Sequence, residues 1–161
     1  MDKGSVHIFY GEGKGKTTAA IGQGIQAASQ GKSVIIIQFL KEKNMDEISF
    51  IKSLEPRIKL FRFEKMAASF DKLSDHERKE EIQNIKNGLS FAKKVLVTEE
   101  CDVLILDEVL GLIEYGIVST DDIKALIHVK DDNAELILTG IYGSQELWDL
   151  ADGVTEMVMK K

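Results

Sequence analysis

The sequence predicts an α/β protein of three layers, with helices covering both faces of a mostly parallel sheet of about six strands. Two observations predict this class. Short apolar, β-branched runs alternate with helical patterns along the chain. Most of these runs are almost continuously apolar, as is typical of parallel strands that are covered on both faces. Because parallel strands are joined by crossovers, the intervening helices are expected on the faces of the sheet.

Six segments are predicted as strands. They share β-branched and aromatic residues, and polar or glycine-containing stretches separate them. In chain order they are 5–10, 33–40, 58–63, 102–107, 134–139 and 154–159.

The first helix is predicted over residues 16–30, directly after the first strand and its glycine-rich loop. Two of its residues, Gly22 and Gly24, each cost up to about 1 kcal/mol of helix propensity. We expect their small size to let the helix lie close to the sheet.

Two further helices are predicted from their N-caps. "SDHE" has the spacing of a capping box, with Ser74 as N-cap and Glu77 three residues later. "STDDIKALI" supplies a second cap at Ser119 or Thr120.

The composition limits the classes of function. A chain of 161 residues with 43% hydrophobic residues is predicted to form one domain over residues 1–161. A net charge of −6 argues against a nucleic-acid partner, and no stretch approaches the roughly 20 apolar residues of a membrane span. The one cysteine, Cys101, is expected to be buried, and its isolation is typical of the reducing cytosol. We therefore expect a cytoplasmic protein.

Ligands of open parallel sheets bind beyond the carboxyl ends of the strands. The segments expected there are 11–17, 41–50, 64–74, 108–118 and 140–144. The site is therefore sought in these loops.

The first of these segments, "GEGKGKTT", has the composition of a phosphate-binding loop, but it is one residue shorter than G-x-x-x-x-G-K-[ST]. Its glycines let backbone N–H groups converge on phosphate oxygens, and the following helix N-terminus favours an anion. Lys16 adds a positive charge for the phosphates, and the Thr17 hydroxyl is suited to ligate magnesium. The segment predicts nucleotide binding.

A second element, "VLILDE", is an apolar strand that ends in Asp107 and Glu108. Such an acid positions hydrated magnesium beside a triphosphate in P-loop enzymes. Both carboxylates are candidates for holding the cation.

At this point the sequence resembles the ATP:corrinoid adenosyltransferases over nearly its whole length, from about residue 5 to 158. "GEGKGKTTAA" is similar to the family's G-N-G-K-G-K-T-T-A-A loop, which has the same short spacing, and "QFLK" to its Q-F-[IL]-K pattern. "LDEVLGLIEY" resembles its L-D-E segment with a following tyrosine. "LTGIYGSQELWDLADGVTEM" resembles its T-G loop and the L-A-D-x-V-[ST]-E-M that follows.

The resemblance implies a RecA-like P-loop fold, a homodimer, and transfer of the adenosyl group of MgATP to a corrinoid. Reduced cobalt attacks the 5′ carbon of ATP and triphosphate leaves, so no acid–base pair is required and no catalytic residue is assigned beyond positioning by Lys16, Thr17 and Glu108. A reductase or flavodoxin is implied as the source of electrons. The implied ligands of Mg²⁺ (or Mn²⁺) are Thr17, Asp107 and Glu108. The residues implied to bind ATP or the corrinoid are Gly11, Glu12, Gly13, Lys14, Gly15, Lys16, Thr17, Thr18, Lys41, Phe70 and Tyr115.

Three positions depart from the family pattern. Glu12 replaces an asparagine, and we expect its carboxylate to turn to solvent or pair with a lysine. No tryptophan follows Phe70, and Ile141 stands where the family has an arginine. The sequence therefore leaves two other classes open: a P-loop ATPase or small-molecule kinase, and a non-catalytic nucleotide- or corrinoid-binding protein.

Overall fold

The computed structural model describes residues 4–40, 45–63 and 70–161. The described strands are β1 (Val6–Tyr10), β2 (Val34–Gln38), β3 (Ile58–Arg62), β4 (Val103–Asp107), β5 (Glu135–Gly140) and β6 (Gly153–Glu156). The described α-helices are α1 (Lys16–Ser29), α2 (Met45–Lys52), α3 (Asp75–Val97), α4 (Gly111–Glu114), α5 (Thr120–Val129) and α6 (Gln145–Trp148). A 3-10 turn, Phe70–Lys72, precedes α3.

The six strands form one sheet in the order β3-β2-β4-β5-β1-β6, and every neighbouring pair is parallel. This confirms the predicted sheet and sharpens "mostly parallel" to entirely parallel. One strand, β5, lies between the loop-bearing β1 and the acid-bearing β4. Their carboxyl ends therefore meet at the same edge of the sheet.

The last strand ends earlier than the predicted range 154–159, at Glu156. Its partner β1 ends at Tyr10, so there is no further strand backbone for it to pair with. Beyond this point Met157 instead donates its N–H to the Tyr10 carbonyl and accepts from the N–H of Gly13. The segment after β6 is thus bonded to the loop that follows β1.

The predicted capping box of Ser74 with Glu77 is present. The second predicted cap lies at Ser119, where it forms a capping box with Asp122 that was not predicted. The prediction of a loop over 41–50 is wrong in its second half, because α2 begins at Met45. A helix of eight residues shows little periodicity by itself and gains its stability from packing, here through the buried Ile51. The short helices α4 and α6 were not predicted for the same reason.

Two cores cover the two faces of the sheet. Residues of α1 and α2 belong to one, and residues of α3, α5 and α6 belong to the other. Gly24 confirms the expected close approach of α1, since a Cβ atom there would lie 3.0 Å from Ile105 Cδ1. The same expectation is wrong for Gly22, which faces open space.

Cys101 is buried as expected, and this burial raises the pKa of its thiol to about 12, with Asp102 adding to the shift. Within the described ranges, no helix combines the length and the apolar character that a bilayer span requires.

Candidate nucleotide site at the carboxyl end of the sheet

The loop between β1 and α1 depends on glycine backbone geometry. Gly11 and Gly15 have φ values of 116° and 106°, in the left-handed region that favours glycine. Gly15 is the N-cap of α1, and it offers no side chain to bond the first N–H groups of the helix. Those N–H groups and the helix dipole therefore remain available for an anion.

The loop between β1 and α1 packs directly against the backbone of Met157, which follows β6. A Cβ atom on Gly13 would lie 2.6 Å from the carbonyl carbon and oxygen of Met157, and one on Gly11 would lie 2.6 Å from the same oxygen. The Gly13 N–H donates to that oxygen at 2.9 Å. The short loop is thus held against the strand-end segment, and only glycine fits at both contact points.

Lys16 begins α1, and its side chain folds back over the loop. Its Nζ donates to the carbonyl oxygen of Gly13 at 2.9 Å. This places the ammonium group above the cradle formed by the glycines, where phosphate oxygens can replace the carbonyl as its partner.

Asp107, at the end of β4, is fully buried, and side chains of α1, β2 and β5 donate hydrogen bonds to it. The hydroxyls of Thr17 and Thr139 donate to its Oδ1 at 2.9 and 2.7 Å. The amide of Gln38 donates to its Oδ2 at 3.3 Å. α1, β2, β4 and β5 therefore meet at this one side chain.

Glu108 follows directly and has a φ of 64°, which is unusual for a residue with a side chain. Its N–H donates to the Thr139 hydroxyl at 2.8 Å, which holds this turn against β5. The side chain is half-buried. Left-handed residues of this kind cluster at functional sites.

The oxygens of this site suit magnesium. Thr17, Asp107 and Glu108 present one hydroxyl and two carboxylates, which are hard oxygen donors, and no sulfur or imidazole lies among them. Mg²⁺ is usually held by one or two carboxylates together with substrate phosphates. The residues present therefore fit this ion beside a nucleotide.

A cleft of about 530 Å³ opens on the other side of the loop, and Glu12, Ile141 and Glu156 are among its lining residues. Glu12 is exposed, which confirms the expectation that its carboxylate turns to solvent. Desolvation and a hydrogen bond to Glu156 raise the pKa of Tyr10 at the base of this cleft.

Phe70 and Tyr115, which are far apart in the sequence, lie against each other. Their ring centroids are 5.0 Å apart in an edge-on arrangement, and the Tyr115 hydroxyl donates to Asp71 Oδ2 at 2.9 Å. Desolvation and this bond raise the pKa of Tyr115. Arg78 stacks over the Phe70 ring at 5.4 Å and donates to the Phe70 carbonyl oxygen. The pair forms an aromatic surface beyond the ends of β3 and β4.

The structure brings some of the predicted site residues into contact and leaves others exposed. Contacts join Thr17 to Asp107 and Phe70 to Tyr115. Lys14 and Thr18 are exposed. Lys41 lies outside the described residues.

Three contributors were not predicted: the side chains of Gln38 and Thr139, and the backbone of Met157. A polar residue that closes an apolar strand is the signal common to the first two. No local signal marks the third, since any residue offers the same backbone.

The parallel sheet, the glycine loop between β1 and α1, and the buried strand-end carboxylate bonded to Thr17 define a P-loop nucleotide-binding fold of the RecA-like type. Residues 2–161 match the family described as ATP:corrinoid adenosyltransferase BtuR/CobO/CobP, and the chain belongs to that family.

Two relatives carry matching names. The corrinoid adenosyltransferase of Escherichia coli (strain K12) is 28% identical over 162 residues, covering 97% of this chain and 77% of that protein. The corrinoid adenosyltransferase CobA of Salmonella typhimurium (strain LT2) matches with the same identity and coverage. Among solved structures, the KaiC-like protein PH0186 of Pyrococcus horikoshii OT3 aligns with a TM-score of 0.61 at 19% identity, covering all of this chain and 76% of that one. This last likeness concerns the fold alone.

Proposed function

We propose that this protein transfers the adenosyl group of MgATP to the cobalt of a corrinoid. The observation that carries the proposal is the bond between Thr17 and Asp107 beneath a shortened glycine loop, in a chain that matches the adenosyltransferase family from residue 2 to residue 161. The proposal treats residues 1–161 as one P-loop domain.

The loop would hold the triphosphate. Backbone N–H groups around Gly15 and at the N-terminus of α1 provide donors. Lys16 provides a charge that moves from the Gly13 carbonyl to the phosphates. Lys14, Thr18 and, through its backbone, Glu12 would contribute at the rim of the loop. Because triphosphate is the leaving group, neutralising its charge favours the reaction.

Thr17, Asp107 and Glu108 would hold Mg²⁺ (or Mn²⁺), which when bound adds positive charge to the leaving triphosphate. In this arrangement the Thr17 hydroxyl keeps its hydrogen on Asp107 and turns an oxygen lone pair to the ion. The buried carboxylate would thereby orient the Thr17 hydroxyl toward the ion.

The reduced corrinoid is the nucleophile. The electron pair of its cobalt forms the bond to the 5′ carbon of ATP, and the carbon–oxygen bond breaks with its electrons leaving on triphosphate. The residues of the chain would orient ATP and the corrinoid for this reaction, and no proton transfer from the protein is needed. Phe70 and Tyr115 form the apolar surface on which the corrinoid would rest. Lys41 would also bind ATP or the corrinoid.

The test is product analysis after incubation with ATP, Mg²⁺ and chemically reduced cobalamin. We expect adenosylcobalamin and inorganic triphosphate in equal amounts. Lys16→Met should lower the rate at least tenfold, whereas Lys93→Met, an exposed lysine on α3, should not. Orthophosphate without triphosphate would indicate an ATPase or kinase, and ATP binding without turnover would indicate a binding protein; either result overturns the proposal.

The proposal includes a homodimer, a cytoplasmic location and a reductase or flavodoxin as electron donor. Light scattering tests the first, with an expected mass twice that of one chain. Replacement of the chemical reductant by a reduced flavodoxin tests the last.

A further inference from the structure

We propose that Gln38 and Arg62 are positioning residues that hold Asp107 in the orientation required for magnesium binding. This inference rests on the proposed function, because it concerns the ion bound with the nucleotide. It adds two residues of β2 and β3 to a site otherwise built from α1, β4 and the turn after β4.

The three side chains lie at one level of the sheet. Gln38 is the direct parallel partner of Arg62 on one side and of Asp107 on the other. Side chains at paired positions on adjacent strands project to the same face and can reach each other. The strand order β3-β2-β4 therefore places the amide of Gln38 between a guanidinium and a carboxylate.

The hydrogen bonds define a direction. Arg62 Nη1 donates to Gln38 Oε1 at 3.0 Å, and Gln38 Nε2 donates to Asp107 Oδ2 at 3.3 Å. A guanidinium group can only donate hydrogen bonds, so Arg62 selects the oxygen of the Gln38 amide as its acceptor. The NH₂ end is thereby turned to the carboxylate.

Without that constraint the amide can rotate and present its oxygen to Asp107, which is unfavourable because two acceptors then face each other. Gln38 and Asp107 are 2% and 0% exposed, so solvent is poorly placed to satisfy the lost bond.

The effect reaches the proposed metal ligand through Asp107. Its Oδ2 is held by Gln38, and this leaves Oδ1 directed at the hydroxyls of Thr17 and Thr139. If the Asp107 carboxylate rotated, its Oδ1 would become a poorer acceptor for the Thr17 hydroxyl. The Thr17 oxygen would then be displaced from its proposed position as a ligand of the ion. Groups that orient metal ligands typically contribute 10- to 100-fold to metal affinity.

A double-mutant cycle in the full-length protein tests the inference. A fluorescent ATP analogue is titrated in EDTA and at increasing Mg²⁺. For Arg62→Met and Gln38→Met we expect about a tenfold rise in the Mg²⁺ concentration that gives half-maximal enhancement of binding, with analogue affinity in EDTA unchanged. The double variant should be no worse than Gln38→Met alone, because the proposed effect of Arg62 on ion binding passes through the Gln38 amide.

Two matched variants keep the result interpretable. Arg62→Lys retains one donor and should recover part of the Mg²⁺ response. Arg57→Met removes an exposed charge just before β3 and should resemble the wild type. Urea unfolding of every variant separates loss of fold from loss of ion binding.

Additive effects in the cycle, or a normal Mg²⁺ response in Arg62→Met, would overturn the positioning role. A wild-type protein that binds the analogue with a Mg²⁺ response but makes no adenosylcobalamin would overturn the proposed function and leave this test intact. A wild type without a Mg²⁺ response would overturn both.

Discussion

Thr17 donates its hydroxyl hydrogen to Asp107 Oδ1 across 2.9 Å, joining the first turn of α1 to the end of β4. The two residues are 90 positions apart, and in the sheet β5 lies between β4 and β1, the strand that precedes α1. Thr139 of that intervening strand donates to the same oxygen. Hydrogen bonds therefore link the helix that follows the glycine loop to the acidic end of β4 and to β5.

Thr17→Val should weaken Mg²⁺-dependent binding of ATP at least tenfold, because it removes both the proposed ligand oxygen and the donor to Asp107. Thr17→Ser keeps the hydroxyl and should stay near the wild type. Calorimetric titration with and without Mg²⁺ measures the difference. The free energy of unfolding should fall by only about 1 kcal/mol, since Asp107 keeps its other donors. Wild-type MgATP affinity in Thr17→Val would contradict the assignment.

Gly13→Ala should lower ATP affinity at least tenfold, equal to about 1.4 kcal/mol. The added Cβ would lie 2.6 Å from the Met157 carbonyl, so the loop must lift from its support. Gly22→Ala makes the same chemical change nine positions along the chain, inside α1, where the new Cβ meets nothing within 4 Å. It should leave ATP affinity unchanged and raise the free energy of unfolding by up to about 1 kcal/mol. Equal ATP affinities in the two variants would contradict the claim that the contact between Gly13 and Met157 shapes the phosphate-binding loop.

Phe70→Ala should raise the KM for the corrinoid about tenfold, because it removes apolar surface worth roughly 1.5–3 kcal/mol when covered. The KM for ATP should not change. Tyr115→Phe keeps the edge-on contact and loses only the bond to Asp71, so its effect should be smaller. Steady-state kinetics at saturating ATP measure these values. Phe50→Ala, a change at an exposed side chain of α2 on the other face of the sheet, is the control. A rise in KM for ATP instead would place Phe70 on the nucleotide.

Glu77 should make the stability of the protein depend on acid pH. The Ser74 N–H, and then its hydroxyl, lower the pKa of Glu77 from its ordinary value of 4.5. A carboxylate with a lowered folded pKa stabilises the fold above its unfolded pKa, and this contribution disappears as the pH falls through the folded value.

The difference in urea midpoint between wild type and Glu77→Gln should therefore be present at pH 7 and shrink below about pH 4.5. The glutamine variant is a suitable reference because it keeps a capping-box side chain without the charge. If the difference in urea midpoint did not change with pH, the charge of Glu77 would not contribute to the stability of the fold.

Local signals predicted much of this molecule. The strands, the capping box at Ser74, the cap at Ser119 or Thr120, and the loop with Lys16 and Thr17 each depend on a few neighbouring residues. The sheet, both caps and the phosphate-loop geometry are present. The four-residue α4 and the eight-residue α2 were not predicted, because helices this short owe their stability to packing rather than to a sequence period.

The sequence by itself determined the fold class, the loop and the acid at Asp107, since glycine spacing, apolar runs and a strand-end carboxylate are all local features. Only the tertiary structure decided which groups surround that acid. Gln38 and Thr139 reach it, and Arg62 reaches Gln38, because the order β3-β2-β4-β5 sets distant segments side by side. Met157 supports the loop through backbone that no side-chain pattern encodes. Pairing between strands acts across space, so the partners of a buried charge follow from topology rather than from spacing along the chain.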